Sequence, residues 1–149
     1  MTSKNSTQTE AVSYFEKGYN CAQSVLLAMQ SFWKVKKPLE PKVASAFGGG
    51  IGRAGSVCGA LTGGVIAIGL KYGTDNPVAE EREKAYSIAK KFYIEFGNSC
   101  GSVFCRDLIG YDLTNPKELE KARNSGVFKE KCNRFIERAV EILIDLSEH

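Results

Sequence analysis

The chain has 149 residues, 43% of them hydrophobic, which suits one domain with its own core but not two. Twenty basic and seventeen acidic residues are mixed along it, and the net charge of +3 excludes a concentrated positive field for nucleic acid or a membrane surface. The N-terminal ten residues contain neither an apolar run nor a cleavage pattern of a signal peptide, so we expect a cytoplasmic protein.

Caps and apolar spacing predict two helices at the start of the chain. Residues 9–18 form a short helix that a glycine ends, and residues 1–8 are expected to be a disordered tail. A second helix opens at Asn20, which can form a capping box with Gln23. Cys21 therefore lies in the first turn of this helix and points inward.

A third, short helix is expected to start at Pro38 or Pro41 and to end at Gly48. Its predicted inward residues are Leu39, Val43, Ala46 and Phe47. A glycine-rich loop follows this helix. The best cap for the next helix is Ser56, which places Cys58 in the first turn.

The next predicted helix has the clearest signals in the chain. Asp75 or Asn76 caps it, Pro77 occupies its first position, and Gly97 closes it. Two glutamates near its start favour the positive end of the helix dipole. Its buried stripe consists of Ala85, Ile88, Ala89, Phe92 and Phe96.

The C-terminal third is also predicted to be helical. Residues 98–110 hold one or two helical turns, and a further helix starts at Thr114 or Asn115 and ends near Gly126. The last helix covers residues 128–146. One apolar face of it contains Phe128, Cys132, Phe135, Ile136, Ala139, Leu143 and Leu146.

Together these signals predict one all-α domain over residues 9–149. No stretch alternates apolar and polar residues in the way a half-buried strand does. The caps indicate about seven or eight short helices around a central glycine-rich helix.

The glycine-rich segment, residues 47–73, admits three interpretations. Gly50, Gly52 and Gly55 spell the dinucleotide fingerprint G-x-G-x-x-G, but that motif requires a preceding strand, and here a helix is predicted. As a membrane span, the uncharged residues 54–70 are short and rich in small polar side chains. Membrane insertion is therefore not expected, and a closely packed central helix is the favoured interpretation.

Glycines inside a helix cost about 1 kcal/mol each relative to alanine, so their presence indicates that something fills the space beside them. A second helix is the first candidate, since Gly59 and Gly63 share one helical face. A cofactor is the second. The residues that would contact it are Gly50, Gly52, Arg53, Gly55 and Gly59.

Five cysteines in a chain without an export signal favour redox chemistry or metal ligation over permanent disulfides. Cys21 and Cys58 are both predicted at helix N-termini, where the dipole lowers a thiol pKa, and the charge of Arg53 favours the thiolate at Cys58 further. No C-x-x-C pair is present. Any disulfide or cluster must therefore join distant segments.

Four segments resemble the C_GCAxxG_C_C family of redox-active proteins. The sequence C-G-A-L-T-G at residues 58–63 matches the family's core motif, and Y-N-C-A-Q-S-V, C-R-D-L-I-G and K-C-N-R-F resemble its other cysteine segments, in the right order. The resemblance implies that the working set is Cys21, Cys58, Cys105 and Cys132. Cys100 has no place in the pattern, and is either a structural extra or a local partner of Cys105.

Three functions remain open from the sequence. In the first, Cys58 attacks as a thiolate and a second cysteine resolves the intermediate as a disulfide, with an unidentified electron donor or small-molecule oxidant as partner. In the second, the same four cysteines bind zinc or an iron–sulfur cluster. In the third, the cysteines only pack inside a helical interaction protein. Small-residue helix faces also make a homodimer conceivable.

Overall fold

The structure is a computed structural model that describes residues 3–148. This part of the chain is all α-helical, as predicted, with a 3-10 helix at Pro41–Phe47, a π-turn at Phe128–Cys132 and no named strand. The eight α-helices are α1 (Lys4–Glu16), α2 (Cys21–Phe32), α3 (Gly48–Ile51), α4 (Gly59–Tyr72), α5 (Ala79–Cys100), α6 (Cys105–Ile109), α7 (Pro116–Ser125) and α8 (Asn133–Ser147).

Helix α1 begins earlier than expected, so the prediction of a disordered tail over residues 1–8 is wrong for its described part. Ser3 and Ser6 form a reciprocal capping box, in which Ser3 is the N-cap, and the helix starts at Lys4. Thr7 is fully buried, and the Gln8 side chain donates to the carbonyl of Glu137 in α8 at 2.9 Å. Packing on α2 and α8 thus stabilises a segment whose composition resembles a tail; residues 1 and 2 lie outside the described part.

Helix α4 is the centre of the bundle, as the glycine pattern predicted. It packs on α2, α5 and α8. A Cβ atom at Gly63 would collide with the backbone of Ala22 in α2, and one at Gly64 would lie 2.5 Å from the ring of Phe92 in α5. Glycine is therefore required here because another backbone and an aromatic ring occupy the side-chain space.

Two hydrophobic clusters form the interior of the described chain. The larger one, called the main cluster below, joins α1, α2, α4, α5 and α8 and includes Phe92, Phe96 and Ile136, all fully buried. The smaller one, called the second cluster, is built from short elements near the C-terminal third. Its buried members are Cys105, Ile109, Leu113, Ala122 and Val127.

Several predicted helix boundaries are wrong for physical reasons. Helix α5 starts after Val78 rather than at Asp75 or Asn76. The side chains of Thr74 and Asn76 lie in the turn before the helix and donate hydrogen bonds to the Glu81 carboxylate instead. At its other end the helix continues through Gly97 to a left-handed Gly101.

The 3-10 helix also differs from its prediction. Only Ala44 is buried in it, whereas Val43 and Ala46 are exposed, because a 3-10 helix repeats every three residues and the predicted face assumed 3.6.

Within residues 3–148, no helix combines the length and the apolar character needed to cross a membrane. Helix α5 is the longest, and its 22 residues include charged side chains along much of its length.

Candidate functional site

Four of the five cysteines line one open cavity of about 490 Å³. They are the four that the sequence nominated: Cys21, Cys58, Cys105 and Cys132. All are free thiols, and each comes from a different segment of the chain. Cys100 does not line the cavity; it ends α5 and packs on the main cluster. The four cysteines that the family resemblance nominated thus lie at one cavity, and Cys100 lies outside it.

A short backbone pairing brings the second and third of these cysteines together. Val57 and Phe104 form an isolated antiparallel bridge, and the N–H of Cys58 donates to the carbonyl of Val103 at 2.8 Å. Side chains alternate along extended backbone, so Cys58 and Cys105 lie on the same side of the bridge. No local signal predicted this pairing, because its partners are more than forty residues apart.

Cys58 lies two positions before its predicted place in the helix. It is the N-cap of α4 rather than a residue of the first turn, and its side chain accepts no capping hydrogen bond. Ser56 is not the cap, because its carbonyl accepts from the Cys105 N–H at 2.7 Å as part of the bridge. The N-terminus of α4 is thus positioned by long-range pairing and not by a polar side chain.

Cys21 is held at the N-terminus of α2 as predicted. Asn20 and Gln23 form the expected capping box, and the Asn20 amide also donates to the carbonyl of Ser45 at 2.9 Å. This bond ties the start of α2 to the chain that enters the glycine loop. A Cβ atom at Gly59 would collide with the Cys21 sulfur, so the thiol occupies space that this glycine leaves free.

The glycine loop contains a left-handed turn beside the cavity. Residues 49–53 have consecutive positive φ values between 56° and 69°. Two of them, Ile51 and Arg53, are not glycine, and a β-branched residue in this region is a backbone outlier. Such strain persists only where the surrounding contacts enforce it, and it concentrates at functional sites.

The five residues predicted to contact a cofactor, four in the glycine loop and one at the start of α4, have different roles in the structure. Gly52 and Arg53 line the cavity directly. The other three make room for neighbours: Gly50 lies against the Cys105 Cβ, Gly55 against the Arg106 side chain and Gly59 against the Cys21 sulfur. The loop therefore admits cysteine side chains to the cavity, in addition to lining it.

Cys132 lies at the end of a π-turn that the sequence pattern did not reveal. A continuous helix was predicted over residues 128–146, but the first five form a π-turn and α8 follows. Phe128 and Cys132, at its two ends, both line the cavity. Single π-turns inside helices occur often at functional sites, so this irregularity agrees with the convergence of the cysteines.

Comparison with known proteins identifies the chain. The model of a family described as "Putative redox-active protein (C_GCAxxG_C_C)" matches residues 19–146. The chain belongs to the C_GCAxxG_C_C family. An uncharacterized protein of Archaeoglobus fulgidus is 29% identical over 135 residues, which cover 84% of this chain and 82% of that protein. No solved structure matches the chain. The family description supports a general redox role.

Burial dominates the electrostatics of the C_GCAxxG_C_C cavity. It raises the pKa of Cys58 well above the ordinary thiol value, with a further contribution from the other three thiols. It also raises the pKa of Cys105 to about 11 and that of Cys132 above its ordinary value. The predicted lowering of the Cys58 pKa is therefore wrong, since desolvation outweighs the helix dipole.

Cys21 has the most favourable surroundings for a thiolate among the four cysteines. Burial raises its pKa, but nearby backbone N–H groups, those of Ala22, Gly49 and Gly59 and its own, act in the opposite direction. Cys58 has one such group, from Ala60. Cys21, taken as a whole residue, is also partly exposed, whereas Cys58 is buried.

Polar residues that were not predicted as site residues also line the cavity, Asn20 and Arg123 among them. Asn20 was predicted only as a helix cap, yet it also lines the cavity. Arg123, in the last turn of α7, lines it too, and nothing in its local sequence distinguishes it from other surface arginines.

Within residues 3–148, no three Cys, His, Asp or Glu side chains are grouped closely enough to hold a metal ion.

Proposed function

We propose that this C_GCAxxG_C_C protein carries out thiol–disulfide exchange with a small disulfide in the cysteine cavity. The observation that carries the proposal is the convergence of four free thiols from distant segments on one open cavity. Free cysteines also suit a reducing compartment, and we place the protein in the cytoplasm on that basis.

In this proposal Cys21 attacks and Cys58 resolves. The sequence-based hypothesis assigned the attack to Cys58, but Cys21 is the more exposed residue of the two and has more backbone N–H groups near its sulfur. Thiolate is the attacking species, so these groups favour Cys21 as the nucleophile.

The exchange has two balanced steps. The Cys21 thiolate attacks one sulfur of a small disulfide RSSR, forms a mixed disulfide and releases RS⁻, which takes up the proton lost by Cys21. Cys58 then loses its proton and attacks the Cys21 sulfur, forming the Cys21–Cys58 disulfide and releasing a second RSH. Two cysteine thiols are oxidised, one small disulfide is reduced, and an external thiol donor must regenerate the protein.

Peptide mapping after exposure to hydroxyethyl disulfide tests this assignment. We expect a Cys21–Cys58 disulfide, with the remaining three thiols labelled by maleimide. The Cys58→Ser variant should retain a mixed disulfide on Cys21, whereas Cys21→Ser should form neither product. Cys100→Ser is the matched control and should behave like the wild type, because Cys100 lies outside the cavity. Maleimide labelling of all five wild-type thiols would contradict the proposal.

A second candidate is an iron–sulfur cluster held by Cys21, Cys58, Cys105 and Cys132. One observation favours it, which is the effect of the thiols on one another. Neighbouring cavity cysteines contribute to the raised pKa values of Cys58, Cys105 and Cys132. Four cysteines are the usual donor set of such clusters. Within residues 3–148 they are not grouped closely enough to hold a metal ion, so this candidate requires the four segments to move closer together. The cavity volume exceeds what a single ion requires.

Anaerobic reconstitution with iron and sulfide separates the two candidates. A cluster would give a brown protein with visible absorption that is lost in each of the four Cys→Ser variants but kept in Cys100→Ser. A colourless, folded protein with four reactive thiols in the cavity would exclude the cluster.

A further inference from the structure

We infer that the small disulfide accepted by the cysteine cavity is anionic, with a short aliphatic body and a carboxylate at each end. This inference rests on the proposed thiol–disulfide exchange. It adds a substrate class that follows from the charge and shape of the cavity walls rather than from the cysteines.

The charged side chains that line the cavity are both arginines. They are Arg53, from the left-handed turn, and Arg123, from the last turn of α7; no Asp or Glu of the described chain lines it. Within residues 3–148, neither guanidinium makes a salt bridge or a side-chain hydrogen bond. Two uncompensated cations at one cavity favour an anionic ligand, and arginine matches carboxylate geometry with two parallel hydrogen bonds.

The backbone positions Arg53 for this role. Its φ of 66° places it in the left-handed region, and its side-chain stem crosses Gly49, where a Cβ would lie 2.8 Å from the Arg53 Cγ. A side chain larger than hydrogen at Gly49 would displace that stem. The strained turn thus has a consequence at the cavity, because it places the Arg53 side chain in the wall that the cysteines also line.

The remaining wall is apolar and limits the ligand. Seven side chains supply most of it: Phe15, Leu108, Ile109, Leu113, Leu119, Phe128 and Phe135. Burial of an aliphatic disulfide's methylene groups against such a surface is favourable, with a transfer free energy of about 0.8 kcal/mol for each CH₂ removed from water. A volume of about 490 Å³ suits a small molecule rather than a folded protein's disulfide loop. Dithiodipropionate combines both properties.

Calorimetric titration with octanedioate, the sulfur-free analogue of dithiodipropionate, tests recognition without any redox step. We expect octanedioate to bind at least about fivefold more tightly than octanediol, and each of Arg53→Gln and Arg123→Gln to weaken it about fivefold. Arg82→Gln, which removes the same charge from α5 outside the cavity, is the matched control and should leave binding unchanged. Affinity should also fall with added salt.

Equal binding of octanedioate and octanediol, or an equal loss in Arg82→Gln, would overturn the inference. So would the absence of octanedioate binding at millimolar concentration.

Reduction kinetics distinguish this inference from the proposed function itself. Dithiodipropionate should have a lower KM than hydroxyethyl disulfide, and the arginine substitutions should raise only the KM for the anionic substrate. Equal KM values for the two disulfides would end the inference but leave thiol–disulfide exchange standing. If octanedioate binds as expected and neither disulfide is reduced, the exchange fails while the anionic ligand stands.

Discussion

The main cluster and the second cluster differ in size and in the elements that form them. Phe92 and Ile136 in the main cluster are fully buried, whereas Leu113 and Val127 in the second cluster each retain 5% of their surface and Cys105 retains 8%. The main cluster joins long helices, and the second cluster joins two short helices, a loop and a π-turn. We therefore expect the second cluster to open at a lower free energy than the main cluster.

The cysteine cavity lies on the border between the two clusters. Cys21 and Cys58 pack with the main cluster, and Cys105 and Cys132 with the second. A local opening of the second cluster would change the access to all four thiols without unfolding the bundle. The difference between the clusters thus separates the stability of the fold from the reactivity of the site.

Substitution of one buried residue in each cluster should show that the two clusters contribute differently to stability and to thiol access. Phe92→Ala in the main cluster is expected to lower the free energy of unfolding by about 3–5 kcal/mol, because it removes a fully buried ring. Leu113→Ala in the second cluster should cost about 2 kcal/mol, at the low end for a buried leucine. Urea denaturation followed by circular dichroism measures both.

Thiol alkylation in the absence of denaturant supplies the second readout. Leu113→Ala should accelerate the labelling of Cys105 and Cys132 at unchanged helix content, since it loosens only the cluster that holds them. Phe92→Ala should accelerate labelling only as far as global unfolding does. Equal acceleration by both substitutions, in proportion to their stability losses, would show that the clusters open as one unit.

The glycines of α4 offer a sharper test inside the main cluster. Gly63→Ala is expected to lower the free energy of unfolding by about 2 kcal/mol, because its Cβ meets the Ala22 backbone, which cannot move as a side chain can. Gly69→Ala is the matched control, since nothing lies within 4 Å of its Cβ position. It should stabilise the protein by up to about 1 kcal/mol through helix propensity.

Opposite signs for the two glycine substitutions, read from urea midpoints, would support close packing of α2 on α4. A stabilising Gly63→Ala would contradict it and would mean that the helices can move apart at no cost.

The sequence predicted the features whose signals are local. The Asn20–Gln23 capping box and the helix from Pro116 to a left-handed Gly126 are confirmed, because a cap depends on three or four neighbouring residues. The membership of Cys132 in the cavity set was also predicted, through the family's cysteine segments.

Features that depend on distant contacts were missed. Cys58 became an N-cap because the Val57–Phe104 bridge fixes the chain before α4, and no pattern around Cys58 reports that partner. The pKa direction was wrong because burial in the assembled cavity outweighs the helix dipole that the sequence reveals. Arg123 reaches the cavity only after α7 folds beside it.

The pH dependence of stability should test the second cluster separately from the main cluster. Burial raises the pKa of Cys105 from its ordinary 9.0 to about 11, with a smaller contribution from Cys21. Between these values the unfolded chain releases the thiol proton while the folded chain keeps it, so stability falls as pH rises from about 9 to about 11. Below pH 9 the Cys105 contribution is fully present.

Urea midpoints measured across this window for the wild type and Cys105→Ser should converge as the pH rises, since only the wild type loses this contribution. Val127→Ala is the matched control from the same cluster, because it lowers stability without removing a titratable group. Its midpoint should run parallel to that of the wild type. A Cys105→Ser curve that also runs parallel would mean that Cys105 titrates normally and that the second cluster does not shield the cavity thiols from water.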